Sequence, residues 1–91
     1  MKSIIQEDTH YCFFCGKYGA EIHHIYFGVS NRKWSDKYKC VVGLFTEHHR
    51  GNNGVHFNRE LDLTLKKIGQ KEFTENYPEL NFMEIFGKNY L

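Results

Sequence analysis

The sequence has few cysteines, almost no proline and little net charge. Of its 91 residues three are Cys and one is Pro, and the formal net charge is +1. So few cysteines argue against a disulfide scaffold, and so small a charge argues against binding nucleic acid by charge alone. No apolar run is long enough to cross a membrane, and residues 1–8 lack the hydrophobic stretch of a signal peptide. We therefore expect a cytoplasmic protein without a membrane partner.

The chain is expected to fold as a single domain over residues 1–91. Eight Phe, six Tyr and one Trp supply a core. At this length a metal-binding knot or a second copy of the chain, forming a homodimer, would be a natural supplement to that core. Residues 1–59 include eight basic and five acidic residues, whereas residues 60–91 include four basic and six acidic residues. A surface that faces phosphate groups is therefore expected in the first two thirds of the chain.

The first half of the chain predicts two strands. Residues 1–10 are expected to be a loosely ordered lead-in. β-Branched and aromatic residues predict one strand over 21–27 and another over 40–45. The segment between them, residues 28–39, is rich in turn formers and basic residues and is expected to be an exposed loop.

The second half predicts helices. Thr46 suits a helix N-cap with Glu47 in the first turn, and glycines at 51 and 54 interrupt that helix. A helical pattern, with Leu61, Leu65 and Ile68 on one face, runs from 58 to about 76, ahead of Pro78. An apolar cluster near the C-terminus is then expected to pack onto the rest of the domain, and its members are Phe82, Met83, Ile85 and Phe86. Residues 58–91 would thus form a helical brace. The fold class is therefore α+β, a small ββα unit with a C-terminal brace.

Five of the six histidines lie between positions 23 and 56: His23, His24, His48, His49 and His56. Any one alone is best explained as an ordinary core or surface residue, but two adjacent pairs beside predicted strands and a fifth nearby favour a metal site. Neighbouring side chains on a strand point to opposite faces of the sheet. One histidine of the His23–His24 pair can therefore bind an ion while the other acts near that ion without binding it. On one continuous helix His49 and His56 would lie roughly 10.5 Å apart, so only a break could bring them to one ion.

The N-terminal turn carries a second chemical signal. Cys12 and Cys15 have the C-x-x-C spacing of a zinc knuckle, which redox dithiols share. Zinc is favoured because a redox pair should open a long helix, and here Gly16 and Gly19 follow instead.

Taken together, these motifs resemble the HNH (ββα-metal, or His-Me finger) endonucleases. The C-x-x-C turn, the His-His pair, the asparagine-containing loop, the second strand, the second His-His pair and the downstream His occur in the family's order. More narrowly, GVSNRK at 28–33, EHH at 47–49, GVHFN at 54–58 and FGKNYL at 86–91 are similar to short HNH proteins of phages and prophages of Gram-positive bacteria. The resemblance spans residues 10–91. A phage-encoded protein of this kind would act in the host cytoplasm.

The resemblance implies roles for individual residues. His24 stands where the family keeps its general base, with His23 as the alternative base, and Asn31 is the candidate for the asparagine that holds the loop against that base. The ligands of one divalent ion (Mg, Mn, Ni or Zn) are His23, His49 and His56. A structural zinc is implied at Cys12, Cys15 and His48, but its remaining ligand would fall on Phe45, which cannot bind metal. Cys40, roughly 16 Å along the strand from position 45, is a poor replacement.

The function predicted from the sequence is hydrolysis of DNA phosphodiester bonds with a histidine base and one ion. Few carboxylates surround the histidines, which favours one metal over two. The expected contacts to backbone phosphates are Arg32, Lys33, Lys37 and Arg50. The alternative is a catalytically silent zinc or DNA-binding module, or a phage protein that binds a host factor.

Overall fold

The structure is a computed structural model that describes residues 3–28, 30–51, 54–56 and 58–91. Met1 and Lys2 of the lead-in, Val29 of the loop, Asn52 and Asn53 of the glycine-rich break, and Phe57 lie outside the described residues. The α+β class predicted from the sequence is confirmed, with one two-stranded antiparallel sheet and several helices. The radius of gyration, 12.4 Å, is that of a compactly packed chain of this length.

The sheet consists of β1 (Glu21–His24) and β2 (Val41–Leu44), with His23 opposite Val42 and His24 opposite Val41. Both strands are shorter than the apolar runs predicted. Beyond β1 the backbone N–H of Tyr26 donates to the Ser35 hydroxyl, so the chain leaves the sheet there while its side chains stay buried. β2 is buried along its whole length, since both of its faces are covered.

The segment predicted as an exposed loop contains a helix, α1 (Arg32–Lys37). The prediction was wrong because the polar side chain of Ser35 is buried in a contact with Tyr26, outside its own helix. Its hydroxyl is fully buried and donates to the Tyr26 carbonyl, which joins the helix to the end of β1. Tertiary contact thus favours a helix in a sequence of turn formers.

A short helix, α2 (Thr46–His49), follows β2. Its N-cap is Phe45 rather than Thr46, and Glu47 lies in its first turn as predicted. The backbone N–H of Val55 returns to the His48 carbonyl at 2.8 Å, so the chain after α2 folds back onto it.

The C-terminal brace consists of α3 (Arg59–Asn76) and α4 (Phe82–Phe86). The Asn58 side chain accepts the Leu61 N–H and caps α3, which ends ahead of Pro78 as predicted. Phe82 and Phe86 pack against the Tyr26 ring with centroids 5.1 and 4.5 Å away. Met83, expected in this cluster, is instead 53% exposed, because it lies on the outer side of the short α4.

The segment before Cys12 is attached to β2 rather than loosely placed. Gln6 Oε1 accepts the Gly43 N–H at 2.8 Å, and the Ile4 N–H donates to the Lys39 carbonyl. A Cβ on Gly43 would lie 2.6 Å from the Tyr11 carbonyl oxygen, so glycine is required where this segment crosses the strand. Among the described residues no helix combines the length and apolar character that crossing a membrane requires.

Candidate metal centres

Three histidines from three parts of the chain converge. His23 is in β1, His49 ends α2 and His56 follows the break, and one ring nitrogen of each lies within 4.8 Å of the others. Ring centroids are 5.1 Å apart for His23–His49, 5.3 Å for His23–His56 and 4.8 Å for His49–His56. Two nitrogens on one ion are about 4 Å apart at most, so a small inward movement would let all three bind it. The convergence predicted from the sequence therefore exists in the fold.

His23 is the buried member of this His triad (His23, His49 and His56). Only 2% of the residue is exposed, and Nε2 is buried with no hydrogen-bond partner among the described residues. Burial, and then the neighbouring His49 and His56, lower the pKa of His23 to about 3. A buried imidazole nitrogen without a partner is costly unless something occupies its lone pair, and a metal ion would do so.

His49 is oriented by a carboxylate. Its Nδ1 lies 3.0 Å from Glu21 Oε1, which is also 3.3 Å from Arg50 Nε. An acceptor at Nδ1 fixes the tautomer that leaves Nε2 free to bind an ion, as is usual for metal-ligating histidines. Burial, and then the neighbouring His49, lower the pKa of His56 as well. Burial therefore favours the neutral, ligating form of His23 and His56.

His24 lies beside the triad and outside it. Its Nε2 is 3.0 Å from Asp36 Oδ1 of α1. Among the described residues the Asn31 side chain makes no hydrogen bond to either histidine of β1; its Nδ2 donates to the Phe86 carbonyl at 3.3 Å. Asn31 therefore joins the start of α1 to the C-terminal brace, and the group that holds α1 to His24 is Asp36.

A cavity of about 280 Å³ opens over these histidines. Its lining is Ile22, His23, His24, Phe27, Arg32, His49, Arg50 and His56. Of the four predicted phosphate contacts, Arg32 and Arg50 line it. The other two, Lys33 and Lys37, extend over the Trp34 ring instead, at 4.8 and 5.6 Å from its centroid.

The second group consists of Cys12, Cys15 and His48, whose ligand atoms also lie within 4.8 Å of one another. Cys12 Sγ is 3.4 Å from His48 Nδ1. Burial raises the pKa of the Cys12 thiol, but hydrogen bonds from the backbone of Phe45, Cys15 and Phe14 outweigh it and lower the pKa to about 6. The turn therefore favours a thiolate at Cys12, the form that binds metal.

Cys40 does not belong to this Cys knuckle (Cys12, Cys15 and His48). It is fully buried in the hydrophobic core, where burial raises its pKa to about 12. Phe45, at the family's remaining ligand position, lies under Lys17 Nζ, 5.0 Å from its ring centroid. The knuckle thus has three ligands among the described residues.

The sequence argument missed one acidic residue near the triad, Asp62 of α3. Its charge acts to raise the pKa of His56, and its Oδ2 lies 2.9 Å from Lys66 Nζ. Asp62 Oδ1 is buried and has no hydrogen-bond partner in the part of the chain that the structure describes. Lys66 in turn lies 4.5 Å from the Phe27 ring centroid at the cavity. An acid in the first turn of a helix is ordinary in sequence, so no local signal marks it.

The donor sets differ between the two groups. Three imidazoles suit a borderline divalent ion such as Zn²⁺ or Ni²⁺, whereas two thiolates and an imidazole favour zinc. No protein-family model, curated protein or solved structure matches the chain. Membership of the HNH family therefore stays a prediction from the sequence motifs.

Proposed function

We propose that this chain is a metal-dependent endonuclease that hydrolyses DNA phosphodiester bonds. The observation that carries the proposal is the convergence of His23, His49 and His56 in one cavity, where no described residue makes a hydrogen bond to the buried Nε2 of His23. In this proposal β1, β2 and α2 form a ββα-metal unit. The three imidazoles would hold one divalent ion, which when bound would stabilise negative charge on the reacting phosphate and the leaving oxygen.

His24 is the general base in this proposal. An ionised carboxylate can only accept hydrogen bonds, so Asp36 favours the tautomer with the proton on Nε2 and the lone pair on Nδ1. Nδ1 would then take the proton of the attacking water, and Asp36 would stabilise the imidazolium that forms, as the acid of a catalytic triad does. His23 suits the role of base less well, because it is buried and belongs to the His triad.

The charges around the cavity support a phosphate substrate. Arg32 enters from α1 and Arg50 follows α2, so two guanidinium groups flank the histidines on the cavity wall. Guanidinium groups bind phosphate oxygens with two parallel hydrogen bonds. Lys33 and Lys37, on the Trp34 side of α1, would contact more distant phosphates of the same strand.

The Cys knuckle would hold a structural zinc in the same unit. The support is the group of two cysteines and His48 around one point and the backbone hydrogen bonds to Cys12. A fourth ligand would come from solvent, so this ion should be lost to a chelator more readily than one with four protein ligands.

The test is cleavage of supercoiled plasmid by purified protein with Mg²⁺, Mn²⁺ or Ni²⁺, with and without chelator. The expected result is nicking that a chelator stops and added ion restores. His56→Ala, at an exposed triad position, should lose activity, and the matched variant His10→Ala, outside the cavity, should keep it. Ion binding without nicking would overturn the proposal in favour of a silent metal-binding module.

A further inference from the structure

The two metal-binding groups meet at adjacent residues of one short helix. His48 of α2 belongs to the Cys knuckle and His49 belongs to the His triad. The two imidazoles therefore leave the same four-residue helix toward different sites. A helix of one turn has almost no stability of its own, so its orientation depends on what holds its side chains.

His48 also determines where the third triad member lies. The Val55 N–H donates to the His48 carbonyl at 2.8 Å, immediately before His56. Gly54 lies against the same peptide group, since a Cβ there would be 2.8 Å from the His48 carbonyl oxygen. The backbone of His48 thus positions His56, and its place in α2 positions His49. Two of the three triad ligands depend on one residue of the knuckle.

We infer that the Cys12, Cys15 and His48 group is a thiolate metal site whose occupancy sets the affinity of the His23, His49 and His56 group for its own ion. A filled knuckle ties α2 to the N-terminal turn, which holds His49 and His56 near His23. With the knuckle empty, α2 keeps its backbone hydrogen bonds, the Phe14–His48 ring contact and the ion pairs of Glu21 with His49 and Arg50, but it loses the metal bridge to the N-terminal turn. The inference rests on the metal binding proposed above for the triad, not on nuclease activity.

The experiment measures coupling between two spectroscopically distinct ions. Cd²⁺ is soft and prefers thiolates, and its sulfur-to-metal charge-transfer absorption reports occupancy of the knuckle. Mn²⁺ is a hard ion that binds thiolates poorly, so it should bind at the triad, and electron paramagnetic resonance reports the free ion. The full chain, stripped with chelator, is titrated with Mn²⁺ before and after one equivalent of Cd²⁺. We expect Cd²⁺ to raise Mn²⁺ affinity by about 10-fold, and Mn²⁺ to raise Cd²⁺ affinity by the same factor.

Two variants locate the effect. Cys15 is exposed, so Cys15→Ser should fold, show a weaker Cd²⁺ charge-transfer band with lower Cd²⁺ affinity, and bind Mn²⁺ weakly after one equivalent of Cd²⁺. His10→Gln, at an exposed position of the same N-terminal segment, should retain the whole Cd²⁺ effect. Far-ultraviolet circular dichroism of the stripped protein should retain its helical signal, since most helical residues lie in α3.

Three results would overturn the inference, and they are distinguishable. Equal Mn²⁺ affinity with and without bound Cd²⁺ would show that the two sites are independent. Loss of the helical signal on stripping would show that the whole chain, not α2, responds to the ion. Absence of Mn²⁺ binding under every condition would remove the proposed metal centre of the nuclease as well.

Discussion

At the scale of single residues, the account divides the β1 histidines between two roles. His23 is buried within the triad, whereas His24 contacts Asp36 at the cavity. His24→Ala should therefore lower plasmid cleavage by about 10²–10⁴-fold while Mn²⁺ affinity stays near that of the wild type. Rates of single-turnover cleavage, with a parallel Mn²⁺ titration, check this. Cleavage by His24→Ala at the wild-type rate would show that another residue is the general base, with His23 as the first candidate.

Substitution of Asp36 also tests the role of His24 as the base, and it should lower the cleavage rate only in part. Asp36→Asn keeps the side-chain size but can present its amide to His24 Nε2, which favours the wrong tautomer. The carboxylate is 53% exposed, so we expect a moderate loss in rate of about 10-fold, with unchanged Mn²⁺ affinity. Full activity in Asp36→Asn would show that the contact does not orient the base.

The burial of His23 predicts a pH dependence of stability for metal-free protein. Its pKa falls from 6.5 to about 3 on folding, so below pH 6.5 the unfolded chain binds a proton that the folded chain does not. This contribution lowers the free energy of unfolding as pH falls from 6.5 toward 3, by up to about 1.4 kcal/mol per pH unit. Urea unfolding of chelator-treated protein should show a shallower pH dependence in His23→Gln than in the wild type. The control His10→Gln changes an exposed histidine paired with Asp8, and it should keep the wild-type slope above about pH 5, where that carboxylate stays ionised.

At the scale of elements, the sequence predicted the strands, the long helix and the residues of the triad. These features arise from patterns that are local: β-branched runs, the helical pattern that begins at position 58, the glycine-rich break and the two His-His pairs. What it missed depends on contacts between distant segments. The helix around Ser35 is joined to β1 by the hydrogen bond from the Ser35 hydroxyl to the Tyr26 carbonyl. Glu21 orients His49 although the two residues are 28 positions apart in the sequence. No local pattern encodes those pairings.

The close approach of Gly54 to α2 gives an element-scale prediction. In Gly54→Ala the added Cβ would lie 2.8 Å from the His48 carbonyl, so the chain that carries His56 must shift. We expect Mn²⁺ affinity to fall by about 10-fold, the size of effect typical for loss of a supporting contact around a ligand. The matched control is Gly87→Ala, whose strain at φ 78° lies at the end of α4. It should lower thermal stability without changing Mn²⁺ affinity; equal Mn²⁺ affinities in the two variants would contradict the prediction.

At the scale of the whole molecule, two kinds of support hold this short chain together. One is the apolar core around Tyr26 and Phe73, and the other, in our proposal, is a metal ion at the Cys knuckle, which would connect the N-terminal turn to α2. Cysteine substitutions can distinguish the contributions of the core and the knuckle to stability, because Cys12 belongs to the knuckle and Cys40 to the core. The background His56→Ala removes one triad ligand, so that mainly the knuckle responds to chelator.

In that background, chelator should lower the melting temperature of Cys40→Ser and leave Cys12→Ser nearly unchanged. Cys40→Ser itself should cost about 1–3 kcal/mol whether or not chelator is present, because it buries a hydroxyl in the core. Thermal melts with and without chelator measure both effects. A chelator response as large in Cys12→Ser as in Cys40→Ser would show that the knuckle contributes no metal-dependent stability.

The central claim is that His23, His49 and His56 bind one divalent ion, and calorimetric titration of Mn²⁺ tests it most directly. The account predicts one Mn²⁺ per chain at the triad in the wild type and in His10→Ala. In His49→Ala and His56→Ala the affinity should fall by more than the ~10–100-fold that loss of an outer-shell partner costs. Wild-type affinity in both triad variants would contradict the claim.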